Sequence, residues 1–231
     1  MDAILLAAGK GTRMRPLTDD TPKPLLKVQD RPIMEWTLLN VADLADRVIV
    51  VAKYLKEQIE DYMATQDIIE DYVIVEQLPK PLGTGHAVQV CKPHLKSDSF
   101  LVLNGDDLYD PRAIALMKAT EAAILTVERD DPTRFGVIVQ NERGYLDRLH
   151  EKPEAGIYTP PVKVNIGAYK MTTKIFDYDI QLSERGEYEL TDYMTYLATQ
   201  TDVSVITTEF WQPVGNPADL EYAQTIDIPT A

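Results

Sequence analysis

The sequence has little cysteine, little histidine and no long hydrophobic run, and each shortage excludes a class of protein. Cys91 is the only cysteine in 231 residues, so an internal disulfide is excluded. No apolar run reaches the ~18 residues that span a bilayer, which predicts no membrane segment. The histidines, His86, His94 and His150, lack the spacing of a zinc site. With no basic secretory leader at the start, these features predict a cytoplasmic protein.

Positive charge is also scarce, except near the N-terminus. Asp and Glu number 37 against 23 Lys and Arg, and the formal net charge of −14 argues against nucleic-acid binding. Residues 1–27 are the exception, with five basic and three acidic groups. A small cationic segment on an acidic body fits a focused site for a compact anion, or a chance cluster on a solvated face.

Strand-like and helix-like segments alternate through the first half of the chain. The patterns predict strands at residues 2–6, 47–51, 72–76 and 100–103, and helices at 33–44, 55–63 and from about 85. Strands separated by helices in this way form βαβ units, in which the strands lie parallel and the crossovers are right-handed. The first half therefore predicts a Rossmann-like parallel sheet.

The second half has strand-like runs that lie closer together. Runs at 123–128, 136–139 and 146–150 are separated by glycine and charged residues, which predicts hairpins. The remaining predicted elements are a strand at 163–169, helices at 173–180 and 190–198, a strand at 203–207 and a helix at 216–224 with Pro217 in its first turn. We predict a single α/β domain over 1–231, with a mainly parallel mixed sheet flanked by helices and a site at the sheet's carboxyl edge.

A glycine-containing loop follows the first predicted strand directly. Gly9 and Gly11 stand at alternate positions, where the backbone can approach an anion closely and turn its amide groups towards it. Met14 takes the place of the third glycine of a dinucleotide fingerprint, which disfavours a dinucleotide-dependent oxidoreductase. No Gly-Lys-Ser/Thr closes a Walker loop. The loop therefore predicts phosphate binding of another kind.

Two cationic side chains strengthen this prediction. Arg13 stands where a guanidinium group could clamp terminal phosphates with two hydrogen bonds. Lys23 lies between two prolines, which restrict its backbone and lower the entropy cost of holding its ammonium group in place. The alternative for Lys23 is an exposed charge on a loop.

These residues are part of a longer pattern. Residues 6–18 read Leu-Ala-Ala-Gly-Lys-Gly-Thr-Arg-Met-Arg-Pro-Leu-Thr, and residues 21–25 read Thr-Pro-Lys-Pro-Leu. Together they resemble the signature of the sugar-phosphate nucleotidylyltransferases. The resemblance continues along nearly the whole chain, at residues 76–77, 82–87, 104–107, 134–136, 151–153, 165–167 and 189–192. It implies the nucleotide-diphospho-sugar transferase fold, and an enzyme that joins a sugar 1-phosphate to a nucleoside triphosphate and releases pyrophosphate.

The resemblance also implies which residues bind the nucleotide. They are Leu6, Ala8, Gly9, Gly11, Thr12, Arg13, Lys23, Gln77, Gly83 and Thr84. Gln77 and the turn at 83–85 resemble the base-reading elements of uridylyl and thymidylyl members, which favours UTP or dTTP; the alternative for Gln77 is a polar residue that ends a strand. Arg13, Lys23 and Asp106 are implied to be catalytic, with Asp106 as the ligand of Mg²⁺. Without the resemblance, Asp106, Asp107 and Asp110 would be read as a turn.

The second half is implied to bind the sugar phosphate, through Gly136, Glu151, Lys152, Asn165 and Thr191. Residues 1–110 would then form a nucleotide-binding half and residues 111–231 a sugar-phosphate-binding half. The expected partners are these two small molecules, with no nucleic acid and no membrane, and a homo-oligomer is possible. Glucose, N-acetylglucosamine and N-acetylmuramic acid 1-phosphates all stay open as the acceptor.

One position departs from the family pattern. Many relatives have an aspartate or asparagine as a second metal ligand where this chain has Pro213, whose side chain has no ligand atom. Asn216, Gln212 or water could supply an oxygen instead, or Asp106 and the triphosphate could hold the ion together, which is the interpretation we favour. The departure also leaves open a non-catalytic relative that binds nucleotide or sugar phosphate for regulation.

Overall fold

A nine-stranded sheet runs through the computed structural model, which describes residues 1–230. The strands are β1 Asp2–Leu6, β2 Lys27–Val28, β3 Arg31–Pro32, β4 Arg47–Ala52, β5 Tyr72–Glu76, β6 Ser99–Asn104, β7 Asp107–Tyr109, β8 Ala122–Arg129, β9 Gly136–Gln140, β10 Leu146–Glu151, β11 Val162–Thr172, β12 Val203–Thr207 and β13 Trp211–Pro213. The α-helices are α1 Ile33–Val41, α2 Lys56–Thr65, α3 Thr84–Gln89, α4 Pro111–Met117, α5 Leu190–Gln200 and α6 Pro217–Ala223. Short 3-10 helices cover Thr12–Met14, Lys23–Leu25, Lys92–His94 and Thr173–Asp177.

The main path of the sheet is β10-β9-β11-β6-β1-β4-β5, and β8 pairs with both β11 and β12. β1 lies at the centre of the parallel part, between β4 and β6. Its residues alternate between two buried apolar clusters, with Ala3 and Leu5 on one face and Ile4 on the other. Because both faces are covered, the strand is a continuous apolar run rather than an alternating one. The mainly parallel mixed sheet that we predicted is confirmed.

The register of β1 and β6 brings two distant loops together. Leu6 is the partner of Asn104 in the parallel ladder, and the N–H of Gly105 donates to the carbonyl oxygen of Leu6 at 3.0 Å. Both strands therefore end at the same level of the sheet. The glycine loop after β1 and Asp106 after β6 consequently emerge side by side at the carboxyl edge, where ligands bind in open α/β sheets.

The predicted hairpins are correct only in part. β9 and β10 form an antiparallel pair, but β8 does not pair with β9. β11 separates them, because its 11 residues pair with β8 along one edge and with β9 and then β6 along the other. Such a long-range partner cannot be identified from the spacing of the strands alone.

The helix predicted at 173–180 is also wrong in type. The chain forms only the 3-10 helix Thr173–Asp177 there. Phe176 and Tyr178 both pack edge-on against Tyr193, at ring-centroid distances of 6.2 and 6.4 Å. Residues two apart point to different sides of an α-helix, so this shared contact requires a more extended backbone.

Several short elements were not predicted. β7 pairs with β13, which places Pro213 opposite Asp107, and α4 follows β7. A signal for α4 was present, because Asp110 accepts a hydrogen bond from the N–H of Arg112 as its N-cap and proline is the first helical residue. The closing helix α6 is confirmed, with Asn216 as its N-cap. None of the helices within 1–230 has the length and apolar character needed to span a bilayer.

Candidate active site

Three adjoining cavities lie at the carboxyl edge of the sheet, and Asp106 lines all of them. The large cavity, of about 620 Å³, lies between Asp106 and the segments around Glu151 and Asn165. The loop cavity, of about 530 Å³, lies against the glycine loop. The Gln77 cavity, of about 460 Å³, lies against Gln77 and the turn at Gly83. Shared lining residues make the three a continuous cleft.

The glycine loop takes its shape from Gly11. This residue has φ +59°, in the left-handed region, and its carbonyl oxygen accepts from the Thr18 hydroxyl at 2.9 Å. A Cβ atom added there would lie 3.0 Å from the Cβ of Lys23, so the loop packs directly on the lysine side chain. Met14, fully buried, anchors the following 3-10 helix. The predicted residues Leu6, Gly9, Gly11 and Thr12 all line the loop cavity.

Lys23 is buried, so the alternative of an exposed loop lysine is wrong. Its side chain is 9% exposed, and its Nζ lies 2.6 Å from Oδ2 of Asp106, whose side chain is 32% exposed. The pair joins two loops that are 83 residues apart. Arg13 lies on the same wall, and both cations line the large and the loop cavities. The site therefore presents two cationic groups and one carboxylate around a common space.

The three neighbouring aspartates are placed differently: Asp106 lies in the turn between β6 and β7, Asp107 begins β7, and Asp110 follows that strand. Asp107 is buried, and its Oδ2 accepts from Nδ2 of Asn104 at 3.2 Å. Burial, and then the charge of Asp106, raise the pKa of Asp107 to about 7. Asp110 caps α4 instead and pairs with Arg112 at 2.9 Å. Asp106 and Asp107 therefore adjoin the cleft, and Asp110 does not.

The donor set suits a magnesium ion bound partly by substrate. No cluster of three or more His, Cys, Asp or Glu side chains within 1–230 could hold a metal ion. Asp106 nevertheless offers a hard carboxylate oxygen in the centre of the cleft, next to the buried Asp107. Mg²⁺ is commonly held by one or two carboxylates together with phosphate oxygens and water. The residues present fit that kind of site.

The structure places the two side chains that could replace the missing ligand at Pro213 differently, because Asn216 lines the large cavity together with Asp106. Oδ1 of Asn216 accepts from the backbone N–H of Asp219 at 3.0 Å, and Nδ2 of Asn216 donates to the side-chain carboxylate of Asp219 at 2.8 Å. The asparagine therefore caps α6 at the edge of the large cavity. The amide of Gln212 donates to the carbonyl oxygen of Pro213 at 2.8 Å, and Gln212 lines none of the three cavities.

Four of the five residues predicted for the sugar phosphate line the large cavity: Gly136, Glu151, Lys152 and Asn165. A Cβ at Gly136 would lie 2.8 Å from Oε2 of Glu151, so glycine makes room for this carboxylate. Asn165 is held in place at both ends, by the Tyr169 hydroxyl at 2.7 Å and the N–H of Gly167 at 3.1 Å. Thr191 is the exception: it lies in the first turn of α5 and lines none of the three cavities.

Gln77 directly follows the last residue of β5, as the alternative interpretation expects, and it also lines the cavity named after it. It is 2% exposed, and its Nε2 donates to the carbonyl oxygen of Gly83 at 2.9 Å. Gly83 has φ +96°, and a Cβ there would lie 2.5 Å from the carbonyl oxygen of Tyr188, so only glycine fits. The predicted residues Ala8 and Thr84 line the same cavity.

Two residues that line the cleft were not among the predicted site residues. Glu187 lines both the loop and the Gln77 cavities, and Trp211 lines the large cavity beside Phe135, with ring centroids 5.8 Å apart. Glu187 lies in a segment that folds back onto the turn at Gly83, where the N–H of Tyr188 donates to Leu82 at 2.7 Å. Only this tertiary contact brings the carboxylate to the cleft.

Comparisons with known proteins give a matching family model and several relatives. A family model described as nucleotidyl transferase matches residues 2–228. "Bifunctional protein GlmU" of Methanococcus aeolicus is 38% identical over 230 residues, which is 97% of this chain and 54% of that protein. "UTP--glucose-1-phosphate uridylyltransferase AglF" of Haloferax volcanii is 32% identical over 240 residues, 97% of this chain and 95% of the relative. The chain thus spans about half the length of the GlmU relatives that it matches.

The fold is shared with solved structures. A UDP-glucose pyrophosphorylase complexed with UDP-glucose superposes with a TM-score of 0.86 at 22% identity, over 96% of both chains. An inositol-1-phosphate CTP transferase from T. maritima superposes with a TM-score of 0.81 at 19% identity, over 100% of this chain and 97% of that one. At these identities the likeness concerns the fold, and it confirms the predicted fold class.

Proposed function

The chain belongs to the nucleotidyl transferase family, and from this membership we propose that it condenses a sugar 1-phosphate with UTP or dTTP to give a nucleotide sugar and pyrophosphate. The observation that carries the proposal is the Lys23–Asp106 pair, 2.6 Å apart where the three cavities meet. A buried ammonium group and a carboxylate at a common point suit a reaction between two phosphate esters.

The loop cavity suits the triphosphate. Glycine backbone, Thr12 and the guanidinium group of Arg13 surround it, and Lys23 lies at its junction with the large cavity. Arginine binds phosphate oxygens with two parallel hydrogen bonds, so Arg13 would hold the pyrophosphate end. The base would then lie in the Gln77 cavity, and the α-phosphate near Lys23.

The large cavity suits the sugar phosphate. Glu151 and Asn165 offer hydrogen-bonding groups to sugar hydroxyls, and Lys152 offers a cation to the phosphate. A phosphate oxygen of the sugar would attack the α-phosphorus, the bond from the α-phosphorus to the bridging oxygen would break, and pyrophosphate would leave in line. Lys23 would stabilise the negative charge that grows there, so catalysis would rest on position and electrostatics.

We assign the ligation of Mg²⁺ to Asp106 together with phosphate oxygens. An ion held there would supply charge neutralisation for the triphosphate. Asp106 would exchange part of its pairing with Lys23 for this ion, which would leave the ammonium group available to the α-phosphate. We also assign nucleotide binding mainly to residues 1–110 and sugar-phosphate binding mainly to 111–231. The cytoplasmic location and a homo-oligomer stay predictions.

Pyrophosphate release tests the activity directly. The purified chain would be incubated with Mg²⁺, each of UTP, dTTP, CTP, GTP and ATP, and each of glucose, N-acetylglucosamine and N-acetylmuramic acid 1-phosphates. We expect release with UTP or dTTP and at least one sugar phosphate, and none with Asp106→Asn. UTP binding without release for any pair would instead support the regulatory, non-catalytic alternative.

A further inference from the structure

The carboxamide nitrogen of Gln77 contacts two atoms, the carbonyl oxygen of Gly83 and Nδ1 of His86, and the second is an acceptor when the His86 hydrogen is on Nε2. Nε2 of Gln77 lies 2.9 Å from the carbonyl oxygen of Gly83 and 3.2 Å from Nδ1 of His86. A primary amide nitrogen carries two hydrogens, and one is available for each acceptor. Turning the carboxamide over would point its oxygen at both acceptors and lose both hydrogen bonds. His86 therefore completes a pair of contacts that fixes which atom of Gln77 faces the cavity.

The atom left facing the cavity is the oxygen. Gln77 is 2% exposed and lines the Gln77 cavity. Within residues 1–230, Oε1 accepts no hydrogen bond, and it is not among the buried side-chain atoms that lack a partner. It is therefore the accessible part of the group. Gln77 therefore presents a hydrogen-bond acceptor to the cavity.

We propose that His86 is a specificity-determining positioning residue, which holds Oε1 of Gln77 towards the base and so selects a pyrimidine whose ring N3 carries a hydrogen. This inference rests on the proposed function. Uracil and thymine have an N3–H that can donate to the oxygen. Cytosine has an unprotonated N3, whose lone pair would oppose Oε1 and leave two acceptors facing each other. A buried acceptor without a donor costs enough to discriminate between ligands of the same shape.

The state of His86 suits this role. His86 is 9% exposed, and its ring packs against that of Tyr188, with the ring centroids 6.2 Å apart. Burial lowers the pKa of His86, so the ring stays neutral at neutral pH. A neutral ring with its hydrogen on Nε2 keeps Nδ1 as an acceptor for the Gln77 amide. His86 lines none of the three cavities, so its effect on the base would pass through Gln77.

Two substitutions separate positioning from packing. His86→Asn keeps an acceptor oxygen close to the position of Nδ1, whereas His86→Ala removes it. His94→Ala is the matched control, because His94 lies on a separate 3-10 helix and lines none of the three cavities. For each variant, kcat/KM and the dissociation constant would be measured for UTP and for CTP, and thermal unfolding would show that the variant is folded.

We expect the UTP-to-CTP ratio of kcat/KM to fall roughly tenfold or more in His86→Ala, the scale of one unpaired buried polar group. The ratio should stay near that of the unmodified chain in His86→Asn and in His94→Ala. An unchanged ratio in folded His86→Ala, an equal fall in the Asn variant, or an unmodified chain that prefers CTP would overturn the inference. If no nucleotide supports turnover, the proposed function fails, and the ratio of dissociation constants still decides the role of His86.

Discussion

Replacing Lys23 with alanine removes the ammonium group that lies 2.6 Å from Asp106. The lysine side chain is only 9% exposed, although Lys23 lines both the large and the loop cavities. Unit charges 2.6 Å apart attract each other by ~6 kcal/mol at an effective dielectric constant of ~20, which is a gross value before desolvation. The fold should tolerate the change, because the Asp106 side chain is 32% exposed and can be hydrated once it is unpaired.

Removal of the Lys23 ammonium group should lower kcat much more than it weakens UTP binding. Negative charge grows on the departing pyrophosphate during the reaction, so Lys23 interacts more strongly with the transition state than with bound UTP. One preorganised donor in such a site contributes ~3–4 kcal/mol, which predicts a fall of ~10²–10³ in kcat. UTP also contacts the glycine loop and Arg13 in our proposal, so its dissociation constant should rise by less than about tenfold.

Two measurements decide the matter. Turnover would be followed by pyrophosphate release at saturating substrates, and UTP binding by calorimetry without sugar phosphate. Lys27→Ala is the matched control, because Lys27 is an exposed lysine four residues along the same segment. Equal losses in kcat and in UTP affinity, or a folded variant that keeps more than about a tenth of its turnover, would refute the proposed role of Lys23.

Three further predictions concern local structure. Gly11→Ala should lower the free energy of unfolding by ~1–2 kcal/mol, because φ is +59° and the new Cβ would lie 3.0 Å from Lys23, whereas Gly9→Ala meets nothing within 4 Å and should change it little. Urea unfolding of the two variants side by side checks this, and equal effects would contradict it. Asn216→Ala should cost ~1 kcal/mol in the same assay through loss of the α6 cap, and an unchanged midpoint would show that the cap is not needed. Burial raises the pKa of the Cys91 thiol, so a thiol reagent should label it in urea but not in buffer; rapid labelling of the native chain would show an accessible site.

Much of the fold and the centre of the candidate site could be predicted from local sequence. The apolar runs of β1 and β4 predicted buried strands because burial on both faces leaves no alternation, and the helices between the strands predicted that they are parallel. Glycines after a strand and a lysine between prolines predicted the segment that lines the loop cavity, because glycine permits a close turn and proline restricts the backbone locally. Parallel strands that end at one edge then bring Asp106 to the loop, as expected.

The contacts between distant segments were decided only by tertiary structure. Nothing local to Lys23 shows that it is buried against Asp106, and nothing local to Thr191 shows that α5 keeps it away from the cleft. The orientation of Gln77 depends on His86 and Gly83, which are near in sequence but meet it only after the chain has turned. Sequence patterns report backbone preference and burial, because these act over a few residues. Which polar atom faces a cavity depends on partners from across the fold, so it is determined only when the chain packs.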